Sequence, residues 1–294
     1  AFGFNDQTAE NNYFQQNDNA EQTKLQELAL LEFNRSVEAL REKGINVVVI
    51  KDTPEPHTPD SIFPNNWISF HNQGRVALYP MYAENRRQER RMDIIETLKG
   101  KGYQIAEITE YYSQAEKENR FLEGTGSMIL DRVNMIAYAA LSERTDLELF
   151  NRFCKDFGFT PVAFHANQTV GDKRLPIYHT NVMMCVGDNY AVVCLDSIDD
   201  SGERNRVVES LEKSHKEIVP ISEEQMHQFA GNMLQVEDVQ GKTYLVMSET
   251  AYQSLNPEQI RQLTKHNDII RFVIPTIEKY GGGSARCMLA EVFS

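Results

Sequence analysis

The apolar positions of this chain fall into short runs that switch between two periods. Residues 67–70 and 75–79 have the length and β-branched or aromatic content of strands, 84–98 carries helical spacing, and 103–108 reads as a strand again. The order strand, strand, helix, strand returns at 127–130, 135–139, 143–157 and 160–164. It returns at 182–186, 190–195, 203–214 and 217–219, and once more at 232–236, 243–247, 257–266 and 269–274. Gly187-Asp188-Asn189 and Gln240-Gly241-Lys242 stand where hairpin turns are needed. A helix over 25–43 is stopped by Gly44.

Four ββαβ units therefore follow one another about 55–60 residues apart. A fifth can be assembled from the two ends of the chain: a strand at 287–293, the helix at 25–43 and a closing strand at 45–50. One strand of that unit is missing, and its natural place is upstream of Ala1. Five such units about an axis make a single-domain α/β propeller over 1–294, in which joining the two ends removes exposed sheet edges. An open doubly wound sheet fits less well, because it alternates single strands with helices instead of pairing strands through tight turns.

The segments that lead into the strands hold the unusual residues. "DSIFPNNW" (60–67) precedes the first unit, "FLEGTGSM" (121–128) the second, "PIYHTNVMM" (176–184) the third, "FAGNML" (229–234) the fourth and "GGGSARCM" (281–288) the last. If all these strands point the same way about an axis, Asn66, Glu123, His179, Asn181 and Cys287 converge on one pocket. Each has a plainer reading: Glu123 as a solvated turn residue, His179 as a hydrogen-bonded core histidine, Cys287 as a buried thiol. Their matching places in separate units favour chemistry. A thiolate is a nucleophile, a histidine beside it activates it, and a carboxylate on the histidine fixes the ring.

Charge and composition narrow the partners. With 30 basic against 43 acidic side chains and a net charge of −13, no surface suited to nucleic acid is expected. No apolar stretch reaches the roughly 18 residues of a membrane span, and no secretory signal is visible. The four cysteines show neither a CxxC pair nor metal-ligand spacing, which fits a reducing cytoplasm. A small molecule is the expected partner, with a homo-oligomer left open.

The motifs "PDSIF" (59–63), "LEGTGSMILD" (122–131), "LSERTD" (141–146), "YHTNV" (178–182) and "GGGSARCM" occur in this order along nearly the whole sequence. In them the protein resembles the guanidino-group-modifying superfamily of arginine deiminases, dimethylarginine dimethylaminohydrolases and amidinotransferases. Within it, the bacterial citrulline utilization hydrolase group is most similar. The resemblance implies a five-bladed α/β propeller, the pentein fold. It implies Cys287 as nucleophile, His179 as general acid and base, and Glu123 as the carboxylate partner of His179. It implies Asp60 in the substrate site and Arg144 on the substrate α-carboxylate, a role that suits the guanidinium fork. Arg86 matches a second site arginine, against a plainer reading as a solvated charge on a helix face. The family uses no metal and no organic cofactor.

Guanidinium-binding relatives carry Asp at the position of Asn66, and arginine deiminases carry Asp two residues after the catalytic histidine, where this protein has Asn181. A carboxamide offers donors and an acceptor but no charge. Two of them make a poor home for a buried cation and a good one for a neutral ureido group; the alternative is that both asparagines only cap turns. The expectation is a cysteine hydrolase cleaving the ureido C–N bond of citrulline. Arginine deiminase, dimethylarginine hydrolase and amidinotransferase chemistry remain as alternatives. So do a Cys-His peptidase and, from another class, a non-catalytic small-molecule-binding propeller.

Overall fold

A computed structural model describes residues 2–16 and 21–293. Its strands form four three-stranded sheets and one two-stranded ribbon. The first sheet holds β1 (Ile68–His71), β2 (Arg75–Leu78) and β3 (Glu107–Glu110). The second holds β4 (Ile129–Asp131), β5 (Ile136–Ala140) and β6 (Thr160–Phe164). The ribbon is β7 (Asn167–Val170) with β8 (Lys173–Pro176). Then come β9 (Met184–Val186), β10 (Tyr190–Val193) and β11 (Glu217–Pro220), and last β12 (Leu234–Glu237), β13 (Thr243–Ser248) and β14 (Asp268–Phe272).

Every three-stranded sheet has the same plan. The middle strand pairs antiparallel with the first, as in Ile68↔Leu78, and parallel with the third, as in Arg75↔Glu107. The same holds for β5, β10 and β13. A parallel return needs a crossover; Met92–Gly100, Leu147–Phe157, Ser201–Lys213 and Pro257–Thr264 supply it. The middle strands are buried almost throughout, which is why they read as continuous apolar runs. One core cluster runs from Tyr138 through Met184 and Val192 to Leu245 and Leu263, joining the second, third and fourth sheets. A buried Lys216–Asp131 ion pair at 3.0 Å ties the third to the second.

Several sequence expectations shift. Residues 84–98 are not one helix: Glu84–Glu89 is a 3-10 turn and the α-helix begins at Met92. Arg86 turns inward there, with Nε and Nη2 each 2.9 Å from a Glu89 carboxylate oxygen, so the segment cannot run on as a solvated helix. The strand expected at 103–108 forms at Glu107–Glu110, where it lies opposite the whole of β2 from Arg75 to Leu78. The β7–β8 ribbon about Gly171 and the helix Pro275–Gly281 were not foreseen. That helix is capped from a distance: the Glu32 carboxylate accepts from Thr276 N and Ile277 N, both at 3.0 Å.

The helix Gln22–Glu42 does end at Gly44, whose φ of +77° is the left-handed conformation a glycine stop requires. The flanking segments 45–50 and 287–293 form no strand. In the other sheets the first and third strands pair only through the middle one. Neither 45–50 nor 287–293 has a ladder partner among the described strands. Both instead line a groove of about 1240 Å³ together with Trp67, Ile68, Ile129 and Leu234. Among the described residues no helix is long and apolar enough to cross a membrane.

Candidate active site

The segments leading into the strands meet in a closed ring of hydrogen bonds. Thr125 Oγ1 donates to Asn65 O at 3.3 Å, and Thr180 Oγ1 to Ser127 O at 2.5 Å. Asn232 Nδ2 donates to Asn181 O, and its Oδ1 accepts from Arg286 N, each at 3.0 Å. The Asn65 carboxamide, turned to the orientation its neighbours require, closes the ring: its nitrogen then donates to Cys287 O at 2.9 Å and its oxygen accepts from Gly126 N at 3.3 Å. The approach at Gly126 leaves no room for a side chain. A Cβ there would lie 2.3 Å from Asn66 Nδ2 and 2.8 Å from His179 Nδ1.

Within the ring, His179 Nε2 lies 2.6 Å from Glu123 Oε2. The other Glu123 oxygen accepts from Tyr82 N at 2.8 Å, and Arg144 Nη1 is 3.6 Å from Oε2. Burial pushes the Glu123 carboxyl up, but Arg144, the His179 hydrogen bond and Arg86 outweigh it and hold it down at about 2. Burial pushes His179 down to about 4, against the pull of Glu123. At neutral pH the pair is a carboxylate with a neutral imidazole. The hydrogen-bond network puts the ring proton on Nε2 and leaves Nδ1, beside Asn66, as the basic nitrogen.

Cys287 is 5% exposed. Its Sγ accepts from Asn181 Nδ2 at 3.3 Å and from Asn232 Nδ2 at 3.2 Å. The other thiols lie in apolar surroundings, where burial pushes Cys154 and Cys185 up to about 12 and raises Cys194 as well.

The far end of the site is charged. Arg86, 2% exposed, donates to both Glu89 oxygens and from Nη1 to Asn66 Oδ1 at 2.8 Å. Burial raises Glu89 to about 7 and raises Asp60, with Arg86 pulling both the other way. Asp60 Oδ2 accepts from Asn5 Nδ2 at 2.8 Å and from Thr8 Oγ1 at 3.2 Å. Arg144 Nη2 donates to Thr8 O at 2.8 Å and to Asn11 Oδ1. The N-terminal segment thus lies across the two residues expected to hold an amino acid. The cavity left beneath it is about 20 Å³.

All eight residues singled out in the sequence come together. Asp60, Asn66, Arg86, Arg144, His179 and Cys287 line that cavity, with Glu123 and Asn181 in direct contact behind them. Arg86 is not a solvated helix charge, because a buried ion pair claims it. Sequence reasoning missed Asn5, Thr8, Asn11, Asn12 and Asn232. A usable signal existed for Asn232, which stands two residues before β12 as Asn66 stands two residues before β1. Among the described residues no group of three or more His, Cys, Asp or Glu is placed to hold a metal ion.

The fold is similar to the substrate-bound N-terminal domain of ArgZ, an arginine dihydrolase of cyanobacteria. The TM-score is 0.68 over 90% of this chain and 86% of that one, at 18% identity. AgrE in complex with L-arginine matches with a TM-score of 0.67 at 18% identity, over 90% of this chain and 36% of the longer AgrE chain. A dimethylarginine dimethylaminohydrolase carrying an S-methyl-L-thiocitrulline adduct matches with a TM-score of 0.60 at 17% identity, over 88% and 87% of the two chains. No curated protein matches in sequence. The profile of the eukaryotic N,N dimethylarginine dimethylhydrolases covers residues 1–294, and the chain belongs to that family, within the guanidino-modifying superfamily.

Proposed function

We propose that this protein hydrolyses a C–N bond in the side chain of an arginine-like amino acid, with the ureido group of citrulline as its substrate group and Cys287 as nucleophile. One observation carries the choice. Asn66 Nδ2 and Asn181 Oδ1 are buried and have no hydrogen-bond partner among the described residues. The site thus has one free donor, on Asn66 in the cavity that Cys287 also lines, and one free acceptor, on the Asn181 carboxamide that meets the sulfur; both are neutral. A ureido group has a carbonyl for the donor and N–H groups for the acceptor. A guanidinium has only donors, and Asn66 Nδ2 would face one of them.

The reaction balances on these residues. His179 takes the Cys287 thiol proton, and the sulfur attacks the ureido carbon. The C=O electron pair moves onto oxygen, where Asn66 Nδ2 is placed to donate. The pair returns, the C–NH₂ bond breaks and ammonia leaves with the proton from His179. Water, deprotonated by His179, then displaces the sulfur and regenerates the thiol. The resulting carbamic acid falls apart into carbon dioxide and the amine, so citrulline and water give ornithine, ammonia and carbon dioxide.

Arg144 and the free Asp60 Oδ1 would hold the α-carboxylate and α-ammonium. A cavity of about 20 Å³ has room for about one water and none for an amino acid. The segment at residues 5–12 must therefore lift from Arg144 and Asp60 for substrate to enter. The second reading, hydrolysis of an arginine or methylarginine guanidino group, is favoured by the family match and by the L-arginine bound to AgrE. Ammonia or methylamine release from citrulline, arginine, methylated arginines and agmatine, with mass spectrometry of acid-quenched enzyme, tests both. The expected result is turnover of citrulline above the others and an adduct on Cys287. Faster turnover of arginine or a methylarginine would replace the ureido reading with the guanidino one.

A five-bladed closure of the same domain is also part of this proposal. The ring of hydrogen bonds joins five leading segments, not four. The groove lined by 45–50 and 288–293 has the place that middle strands hold in the four three-stranded sheets. Four free thiols support a reducing compartment such as the cytoplasm.

A further inference from the structure

We propose that Asn232 is a catalytic residue: with Asn181 it grips the Cys287 sulfur between two carboxamide N–H groups and stabilises it as the thiolate that attacks. This rests on the reading of Cys287 as nucleophile.

Among the described residues the sulfur has three polar contacts with side chains. Asn232 Nδ2 is 3.2 Å away, Asn181 Nδ2 3.3 Å, and Asn232 Oδ1 3.6 Å, within reach of a thiol proton. The orientation of Asn232 is enforced from both sides. Its Oδ1 accepts from Arg286 N and its Nδ2 donates to Asn181 O, each at 3.0 Å. Turning the amide over would set Nδ2 against the Arg286 N–H and Oδ1 against the Asn181 carbonyl, losing both bonds. Asn232 is about 1% exposed, so water does not compete for the sulfur from that side.

This grip answers a need created by His179. A cysteine–histidine pair is usually activated by an imidazolium beside the sulfur. Here the imidazole is neutral at working pH, and its Nε2 is turned to Glu123. The thiol proton must pass to a ring that burial makes reluctant to hold it. Donors that strengthen as charge gathers on sulfur make that transfer feasible, because hydrogen bonds to an ion are about twice as strong as neutral ones. Being uncharged, the two carboxamides do this without placing a cation where a neutral substrate group has to lie. The contrast with Cys194 is direct: one serine hydroxyl at 3.3 Å faces that sulfur, and no carboxamide does so among the described residues.

The test is the rate of Cys287 alkylation by iodoacetamide against pH, read by peptide mass spectrometry, beside turnover. Asn232→Ala removes the whole grip. Asn232→Asp keeps an oxygen for Arg286 N, so the turn survives, but sets a carboxylate oxygen where the donor was. Loss of one hydrogen bond to an ion should slow alkylation at neutral pH by about tenfold or more. The rise of the pH profile should move to higher pH in Asn232→Ala and further in Asn232→Asp, with kcat falling more than KM changes. A purely structural role would lower the melting temperature and leave the profile in place; an unmoved profile in either folded variant overturns the assignment. The Cys287→Ala variant separates the two claims. Full turnover by it, or alkylation only at other cysteines in the unaltered protein, overturns the Cys287 reading and this inference with it. Alkylation at Cys287 with an unmoved Asn232 profile overturns the inference alone.

Discussion

Arg86 donates from Nη1 to Asn66 Oδ1 at 2.8 Å, and this bond decides which way round Asn66 faces the cavity. With its oxygen claimed by a guanidinium, Asn66 presents only N–H. Arg86 is itself locked by two 2.9 Å bonds to Glu89, so it cannot swing away to meet a substrate. Arg86, singled out as a second arginine of the substrate site, lines the cavity and orients a carboxamide there. The donor beside His179 therefore depends on an ion pair formed within one 3-10 turn.

Asn66→Asp should cost citrulline turnover about 10²–10³-fold in kcat, the usual loss when a donor to a developing oxyanion is removed. The new carboxylate would pair with Arg86 without disturbing the fold. Combined with Asn181→Asp, it should shift the ratio of kcat/KM for arginine over citrulline upward. A ratio unmoved in the double variant would mean that the two carboxamides only shape turns.

The repeat, the order of elements and the convergence of the eight candidate residues were legible because each rests on local chemistry: apolar period, turn residues and motif position. What was not legible depends on distant partners. Residues 84–98 have a good helical pattern, yet the buried Arg86–Glu89 pair breaks it, and nothing in the spacing marks either charge as buried. The segments 45–50 and 287–293 have strand-like sequences, but a strand needs a ladder partner, and pattern cannot supply one. Asn5, Thr8 and Asn11 sit in a polar stretch that reads as a plain loop. Their role comes only from reaching Asp60 and Arg144, more than 50 and 130 residues away.

Glu123→Gln tests the orientation of His179. Glutamine keeps an oxygen for Nε2 but loses the charge that holds the ring and raises its proton affinity. The expected result is a fall in kcat of about 10²–10⁴-fold with KM little changed. Because Glu123 pulls the His179 value upward, its loss should also move the histidine-dependent limb of the kcat profile to lower pH. Near-normal turnover would mean that the Glu123 charge plays no part in the mechanism.

Arg144→Lys should act on binding. The guanidinium fork that meets Thr8 and Asn11 in this closed form would meet an α-carboxylate in the open one. Replacing it should cost about 1.5–3 kcal/mol in kcat/KM for amino acids and almost nothing for agmatine, which lacks the carboxylate. Equal losses for both would give Arg144 a structural job. Asn11→Ala, which removes one of the two contacts from the N-terminal segment to Arg144 together with the Asn11–Glu143 bond, should lower KM or leave it unchanged.

Stability against pH separates groups that work in opposite directions. His179 and His71 are held at about 4 and about 2 in the fold, His71 by burial and by Arg132 and Arg75, against an ordinary 6.5. Between 6.5 and those values the unfolded state binds more protons, so acid destabilises the fold by about 1.4 kcal/mol per pH unit for each. Glu89 is raised from 4.5 to about 7 and Asp60 is raised as well, so between those limits the folded state binds more protons and acid favours it. From about 6.5 down to 4.5 Glu89 offsets one of the two histidines, and Asp60 acts in the same direction as Glu89. Below 4.5 Glu89 no longer opposes the histidines, and Glu123, lowered from 4.5 to about 2, adds its own loss. Denaturant unfolding should therefore give a shallow fall in stability from pH 6.5 to 4.5 and a steeper fall below it. His71→Gln, which keeps a polar partner for Ser69 at the site of the 2.7 Å contact, should make the fall shallower by about 1.4 kcal/mol per unit. An unchanged slope in that variant would mean that His71 is already protonated in the fold.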